Sequence, residues 1–271
     1  MTEDINSIGA AACKILQTAP AMDKAELSHH YSALWFEGKL KPSCTEKPQD
    51  RPARPEKPAL LLPRDMPRRR QGKGSKAHRV ALLHAVCHIE LNAIDLAWDI
   101  VARFGHDMPK EFINDWVEVA DDEARHFNLL QSRLSHLDAQ YGDLPAHDGL
   151  WQAALDTRHD LAARLAIVPM VLEARGLDVS PPMIERLLQS GDEESADCLK
   201  IIYEEEISHV QKGQKWFQNL CSQKKLDART EYQKLVKTYF KGHLKPPFNK
   251  EARDLAGFDE GFYLPISLNK A

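Results

Sequence analysis

Glycine is scarce, at 13 of 271 residues, and no stretch alternates Val, Ile and Thr between Gly-rich turns. A sheet-rich fold is thereby excluded, because strands need branched side chains and turn residues to reverse the chain. Cysteine is scarce too. The five thiols, Cys13, Cys44, Cys87, Cys198 and Cys221, are an odd number, lie far apart and form no Cys-x-x-Cys pair. Neither a disulfide scaffold nor a cysteine zinc site fits that spacing. An uninterrupted apolar run of about eighteen residues, as a membrane span requires, is missing. The opening stretch MTEDINSIGAAACKILQTAP carries acids where a secretory leader needs basic residues. The expectation is a cytoplasmic protein with no membrane partner.

Charge is nearly balanced in total, 36 Lys/Arg against 40 Asp/Glu, but it is unevenly spread. Residues 39–79 hold 13 Lys/Arg and 4 Asp/Glu, so the remainder is distinctly acidic. Seven of the sixteen prolines fall within 42–67. Proline removes amide donors and fixes φ, which predicts an extended, irregular strap over 41–76 rather than a helix. Its basic strings, RPARPEKP and RRRQGKGSK, invite a nucleic-acid reading. Aromatics are absent from that stretch, so bases would have no platform to stack on. A strap that is solvated or pairs with acids elsewhere on the chain is the more economical account, and phosphate neutralisation stays open.

What the sequence has in quantity is helical periodicity. Two short amphipathic helices are expected over 5–17 and 22–36, ahead of the strap. Long 3.6-residue periods follow, separated by stop signals: 75–104 ending at Gly105, 109–140 ending at Gly142, 149–175 passing Pro169 and ending at Gly176, and 192–222 after a short piece over 181–189. One more helix is expected over 227–241, then an irregular tail with enough aromatics to pack on something. The fold class is all-α. The expected divisions are 1–40 for the N-terminal helices, 41–76 for the strap, 77–222 for an internally duplicated bundle and 223–271 for a C-terminal extension packed on it.

Four glutamates interrupt the apolar faces of these helices. Glu90 sits amid Leu83, Val86, Cys87, Ala93, Ile94, Ala97 and Val101, and Glu123 with His126 amid Trp116, Val119, Ala120, Phe127 and Leu130. Glu173 follows Leu165, Ala166, Pro169 and Met170 in phase, and Glu206 with His209 is set among Leu199, Ile202, Val210 and Phe217. An ionised carboxylate left alone in such a stripe costs several kcal/mol, so each needs a partner. Residues three apart share a helix face, and Glu123 with His126, like Glu206 with His209, can aim an oxygen and a nitrogen at one point.

The spacing repeats. Glu90 to Glu123 and Glu173 to Glu206 are both 33 residues, and 90 to 173, 123 to 206 and 126 to 209 are all 83. The core follows the same offset, with Trp116 onto Leu199, Val119 onto Ile202, Phe127 onto Val210, Leu134 onto Phe217 and Leu137 onto Leu220. In an antiparallel hairpin turning near residue 106 or 190, residues 33 apart lie at one height. Two such hairpins face to face would bring four carboxylates and two imidazoles to one level, the ligand set of a two-metal site. A bundle whose carboxylates are merely hydrogen-bonded is the alternative.

With these residues the chain resembles the ferritin-like di-iron carboxylate proteins over about 77–222. More narrowly, HAVCHIELNAIDLAWD, DDEARHF, LEARGLDVSPPM, EEEISHV and the tail phrase PPFNKEAR look like an uncharacterised ferritin-like family known only as a domain of unknown function. A wider similarity is to the ferritin-like tRNA hydroxylases. The resemblance implies a ferritin-like four-helix bundle in which Glu90 and Glu173 are terminal ligands, Glu123 and Glu206 bridge, and His126 and His209 complete each metal.

Glu and His donors suit iron, with manganese a second candidate. The expected function is a di-metal oxidase or hydroxylase using dioxygen or peroxide on an unidentified small-molecule or RNA substrate. Non-catalytic iron binding or storage, and a tRNA-modifying monooxygenase, are the alternatives. Tyr203, one turn before Glu206, is expected to face the site or to be a core tyrosine. Asp122, one turn before His126, would either orient that imidazole or remain a surface acid. His84 and His88 are expected off the ligand face.

Overall fold

The computed structural model describes residues 5–67 and 75–268. The chain is all-α: among the described residues the extended structure amounts to two-residue strands, β1 (Leu60–Leu61) and β2 (Ala146–His147), paired in parallel. It divides into two compact units, residues 1–151 and 152–271.

In the first unit α1 (Ile8–Leu16) and α2 (Ala21–Phe36) precede the strap, and α3 (Lys76–Phe104) and α4 (Lys110–His136) form a long hairpin. Ser75 caps α3 by accepting from the His78 amide, the service a β-region serine renders at a helix start. Gly105 ends α3, though its φ of −63° is helical. The glycine is needed for another reason: a Cβ there would lie 2.8 Å from Cys44 Sγ of the strap. Against this hairpin α1 packs on α3 and α2 on α4. Ser28 links them, donating to the Ala120 carbonyl at 2.9 Å while accepting from Trp98 Nε1 at 2.8 Å. By composition α3 is long and apolar enough to cross a membrane, but its apolar window is mostly buried within the chain. It is apolar because it is central.

The strap is irregular over its described part, as its prolines dictate, apart from β1 and a single 3-10 turn at Pro63–Asp65. Much of it is exposed, and part of it pairs with acids and other groups of the same chain. Arg54 reaches Asp95 Oδ2 at 2.6 Å and Asn92 Oδ1 at 2.6 Å, Arg51 pairs with Asp148, and Trp151 Nε1 donates to the Asp50 carbonyl at 3.0 Å. The string RRRQGKG, 68–74, lies outside the described residues.

The second unit departs from the expected helix plan. One helix over 149–175 was expected, stopping at Gly176, with a separate piece over 181–189. Instead α5 (Gly149–Asp156) ends early, Asp160 caps α6 (Leu161–Ile167), and a π-helical run, Val168–Glu173, leads into α7 (Ala174–Gln189), which passes through Gly176, Pro181 and Pro182. Pro169 has no amide to give and its ring crowds the preceding turn, so the ladder shifts register around it. Pro181 similarly cannot bond the Leu177 carbonyl. Asn249 Nδ2 takes its place, donating to Leu177 O at 3.1 Å, so a donor from the tail replaces the missing amide. After Gly191 (φ +73°), Asp192 caps α8 (Glu193–Gln223), followed by α9 (Ala228–Tyr239), α10 (Lys250–Leu255) and α11 (Glu260–Tyr263). Helix α7 packs on α8, and α9 on α6.

Candidate metal centre

Glu90 lies on α3, and Glu123 and His126 on α4; all three are buried. The 33-residue separation works as the hairpin geometry requires, since the turn at 105–109 sets the two helices at equal height. His126 Nδ1 stands 3.3 Å from Glu123 Oε2 and 3.4 Å from Glu90 Oε2. One donor atom from each of the three residues falls within 4.8 Å of the others, close enough to hold one metal ion.

The electrostatics of this triad favour a cation. Burial, and then the Glu123 carboxylate, push the Glu90 carboxyl well above its usual range, with His126 only partly opposing. Glu90 Oε2 is buried and, among the described residues, has His126 Nδ1 at 3.4 Å as a distant partner without good hydrogen-bond geometry. An uncompensated buried carboxylate oxygen is expensive, and a divalent ion between Glu90, Glu123 and His126 would offset that cost. The donor set of two carboxylates and one imidazole is hard to borderline, fitting iron or manganese better than a thiolate-seeking metal.

The second unit carries the same types at the same spacing. Glu206 and His209 are buried on α8, with His209 Nδ1 3.8 Å from Glu206 Oε1. Glu173 is the last residue of the π-helical run, half-buried. A π turn rotates the residues after it relative to an α-helix, so Glu173 owes its direction to that run.

The remaining sequence candidates have concrete partners. Tyr203 is half-buried and its hydroxyl accepts from Asn249 Nδ2 at 2.9 Å, which ties it to the tail. Asp122 pairs with Arg125 at 2.9 Å. His84 and His88 form a separate network away from the triad. His84 Nε2 accepts the Gly142 amide at 2.9 Å, while His88 Nδ1 meets the Tyr141 hydroxyl at 2.8 Å and Nε2 the His147 carbonyl at 3.1 Å. Burial lowers both imidazoles, His88 to about 4, so they are neutral groups that pin the 141–147 segment onto α3.

The tail phrase PPFNKEAR acquires a physical meaning that no periodicity could supply. Arg253 grips Asp178 of α7 with Nε and Nη2 at 2.8 and 2.7 Å and donates to the Ala174 carbonyl at 3.2 Å. The Asn249 amide donates to Asp178 Oδ1 at 2.9 Å. Phe248, Phe258 and Tyr263 surround the guanidinium at 5.0, 5.3 and 4.5 Å. This clip fastens the tail to α7 just beyond Glu173.

Comparison with known proteins adds a family. A sequence-family profile described as "Protein of unknown function (DUF455)" matches residues 17–264. An uncharacterised protein of Haemophilus influenzae is 41% identical over 220 residues, covering 79% of this chain and 76% of that one. No solved structure matches.

Proposed function

The chain belongs to the DUF455 family of unknown function, and from that starting point we propose that it is a di-metal carboxylate protein of ferritin-like architecture, acting as an oxidase or hydroxylase. In this reading Glu90, Glu123 and His126 hold one metal ion, and Glu173, Glu206 and His209 the other. The observation that carries it is the buried Glu90–Glu123–His126 triad, whose types and spacing recur 83 residues later. Iron is the proposed metal, with manganese the second candidate.

Two bound ferrous ions would supply two electrons to dioxygen or peroxide. The chain's own contribution is electrostatic and steric. The four carboxylates, three of them buried and Glu173 half-buried, would balance two divalent charges. His126 and His209 would each complete a ligand set through a neutral nitrogen, and the surrounding Leu, Val and Trp side chains would keep bulk water out.

Metal stoichiometry tests the reading. Apo-protein incubated anaerobically with ferrous iron and then desalted should hold two iron ions per chain. Glu123→Ala and Glu206→Ala should each bring the count to one or none, with circular dichroism showing the helices retained. Well under two ions in the parent protein sinks the proposal.

A further inference from the structure

A cavity of about 260 Å³ opens between the π-helical run and the C-terminal segment, entirely within the second unit. Val171, Phe240 and Phe248 supply apolar wall, and Arg175, His243 and Lys245 supply polar groups. The cationic groups are not spent. Arg175 is oriented through Nη1 alone, which donates to the carbonyls of Lys245 (2.8 Å) and Pro247 (3.3 Å) and to Asp178 Oδ2 (3.3 Å). Its Nη2 and Nε donors have no partner among the described residues, nor do the Lys245 ammonium and the His243 imidazole. Asp178, the acid lining the cavity, is already held by both Arg253 nitrogens and the Asn249 amide.

The arrangement is therefore a guanidinium fixed by three acceptors, with further N–H groups free, beside a free ammonium and two aromatic rings. A guanidinium edge with parallel donors matches a carboxylate in two-point contact. Asp178 is engaged by Arg253, so it leaves Arg175 and Lys245 with positive charge to spare, and an anion is the complement. Bare phosphate would use the cations but leave the rings unused. A carboxylate with a hydrocarbon or aromatic body would use both.

We propose that this cavity binds a small organic carboxylate, its head on Arg175 and Lys245 and its apolar body against Phe240, Phe248 and Val171. The inference stands on the cavity's own residues and does not rest on the metal reading.

Calorimetric titration of the full-length protein with benzoate, hexanoate and inorganic phosphate tests it. Saturable binding of benzoate or hexanoate is expected, tighter than phosphate. Arg175→Lys keeps the charge but loses the fork, and should weaken carboxylate binding by about tenfold, the worth of one charge-assisted hydrogen bond. Gly242→Val offers a second route without touching the cations: a Cβ there would stand 2.8 Å from the Phe240 ring and displace that wall. It should weaken hexanoate more than phosphate, and it decides the matter if the Arg175 variant fails the circular-dichroism check for folding. No saturable binding of either carboxylate, phosphate binding as well as they do, or unchanged affinity in folded variants would each overturn the proposal.

Discussion

The ion triplet at the heart of the first unit makes a quantitative demand. Lys24 of α2 and Asp95 of α3 are both fully buried and meet at 2.5 Å, while Arg54 of the strap closes on the other Asp95 oxygen at 2.6 Å. Asp95→Asn preserves shape and removes the charge that both cations answer. Lys24 would keep its bond to the Ala53 carbonyl at 3.0 Å, but one neutral acceptor does not replace an anion. Breaking a buried pair from one side costs about 3–5 kcal/mol, and the second cation here argues for the upper half of that range. For a chain of this size that is a melting point lower by roughly 10 °C.

The pH dependence separates this cause from simple misfit. Burial already lowers the Lys24 pKa, and Asp95 is the group that most opposes the fall. Without Asp95 it falls further, so the folded variant binds fewer protons than the unfolded chain in alkaline solution. Its stability must then rise with pH towards 10.5, the range where the unfolded lysine still holds its proton. Denaturation followed by circular dichroism at pH 7 and pH 9 should show the deficit shrinking. A loss below about 1 kcal/mol, or a deficit that does not shrink at pH 9, would refute the reasoning. Lys24→Met combined with Asp95→Leu should recover part of the loss.

Two more expectations follow from close packing and from protonation. A Cβ at Gly213 of α8 would lie 2.4 Å from the Pro169 ring. Alanine adds about 1 kcal/mol of helix propensity, but overpacking against a rigid ring costs about 1–3 kcal/mol, so Gly213→Ala should destabilise; a higher melting point would contradict the close approach. His88 has its pKa depressed by burial from 6.5 to about 4, so its contribution is present above pH 6.5 and is lost as pH falls towards 4, about 3 kcal/mol in full. Metal-free His88→Gln should lose less stability than the parent between pH 7 and pH 4.5, and equal slopes would exclude His88 as a source of acid sensitivity.

Much of the first hairpin is legible in the chain itself, because its signals are local. Ser75 before α3 and Asp192 before α8 are capping side chains whose partners lie three residues away, and both mark the observed helix starts. Glu90, Glu123 and His126 could be placed together because a 33-residue count and a turn fix height in a hairpin. The third expected helix failed for the opposite reason. Gly176 reads as a local stop and Pro181 as the start of a new piece, yet α7 runs through both; the carbonyl that Pro181 cannot satisfy is met by Asn249, 72 residues away from Leu177.

The sequence by itself determined the helical class, the phase of the buried faces and the duplicated Glu and Glu-x-x-His spacing, since each follows from 3.6-residue periodicity along one strand of chain. Only the tertiary structure decided which distant groups meet. Lys24 finds Asp95 across 71 residues and Arg253 finds Asp178 across 75, and the Arg175 cavity exists because the tail closes over the π-helical run. Periodicity fixes which way a side chain faces, whereas the partner of a buried charge is set by the path of the intervening loops, on which periodicity is silent.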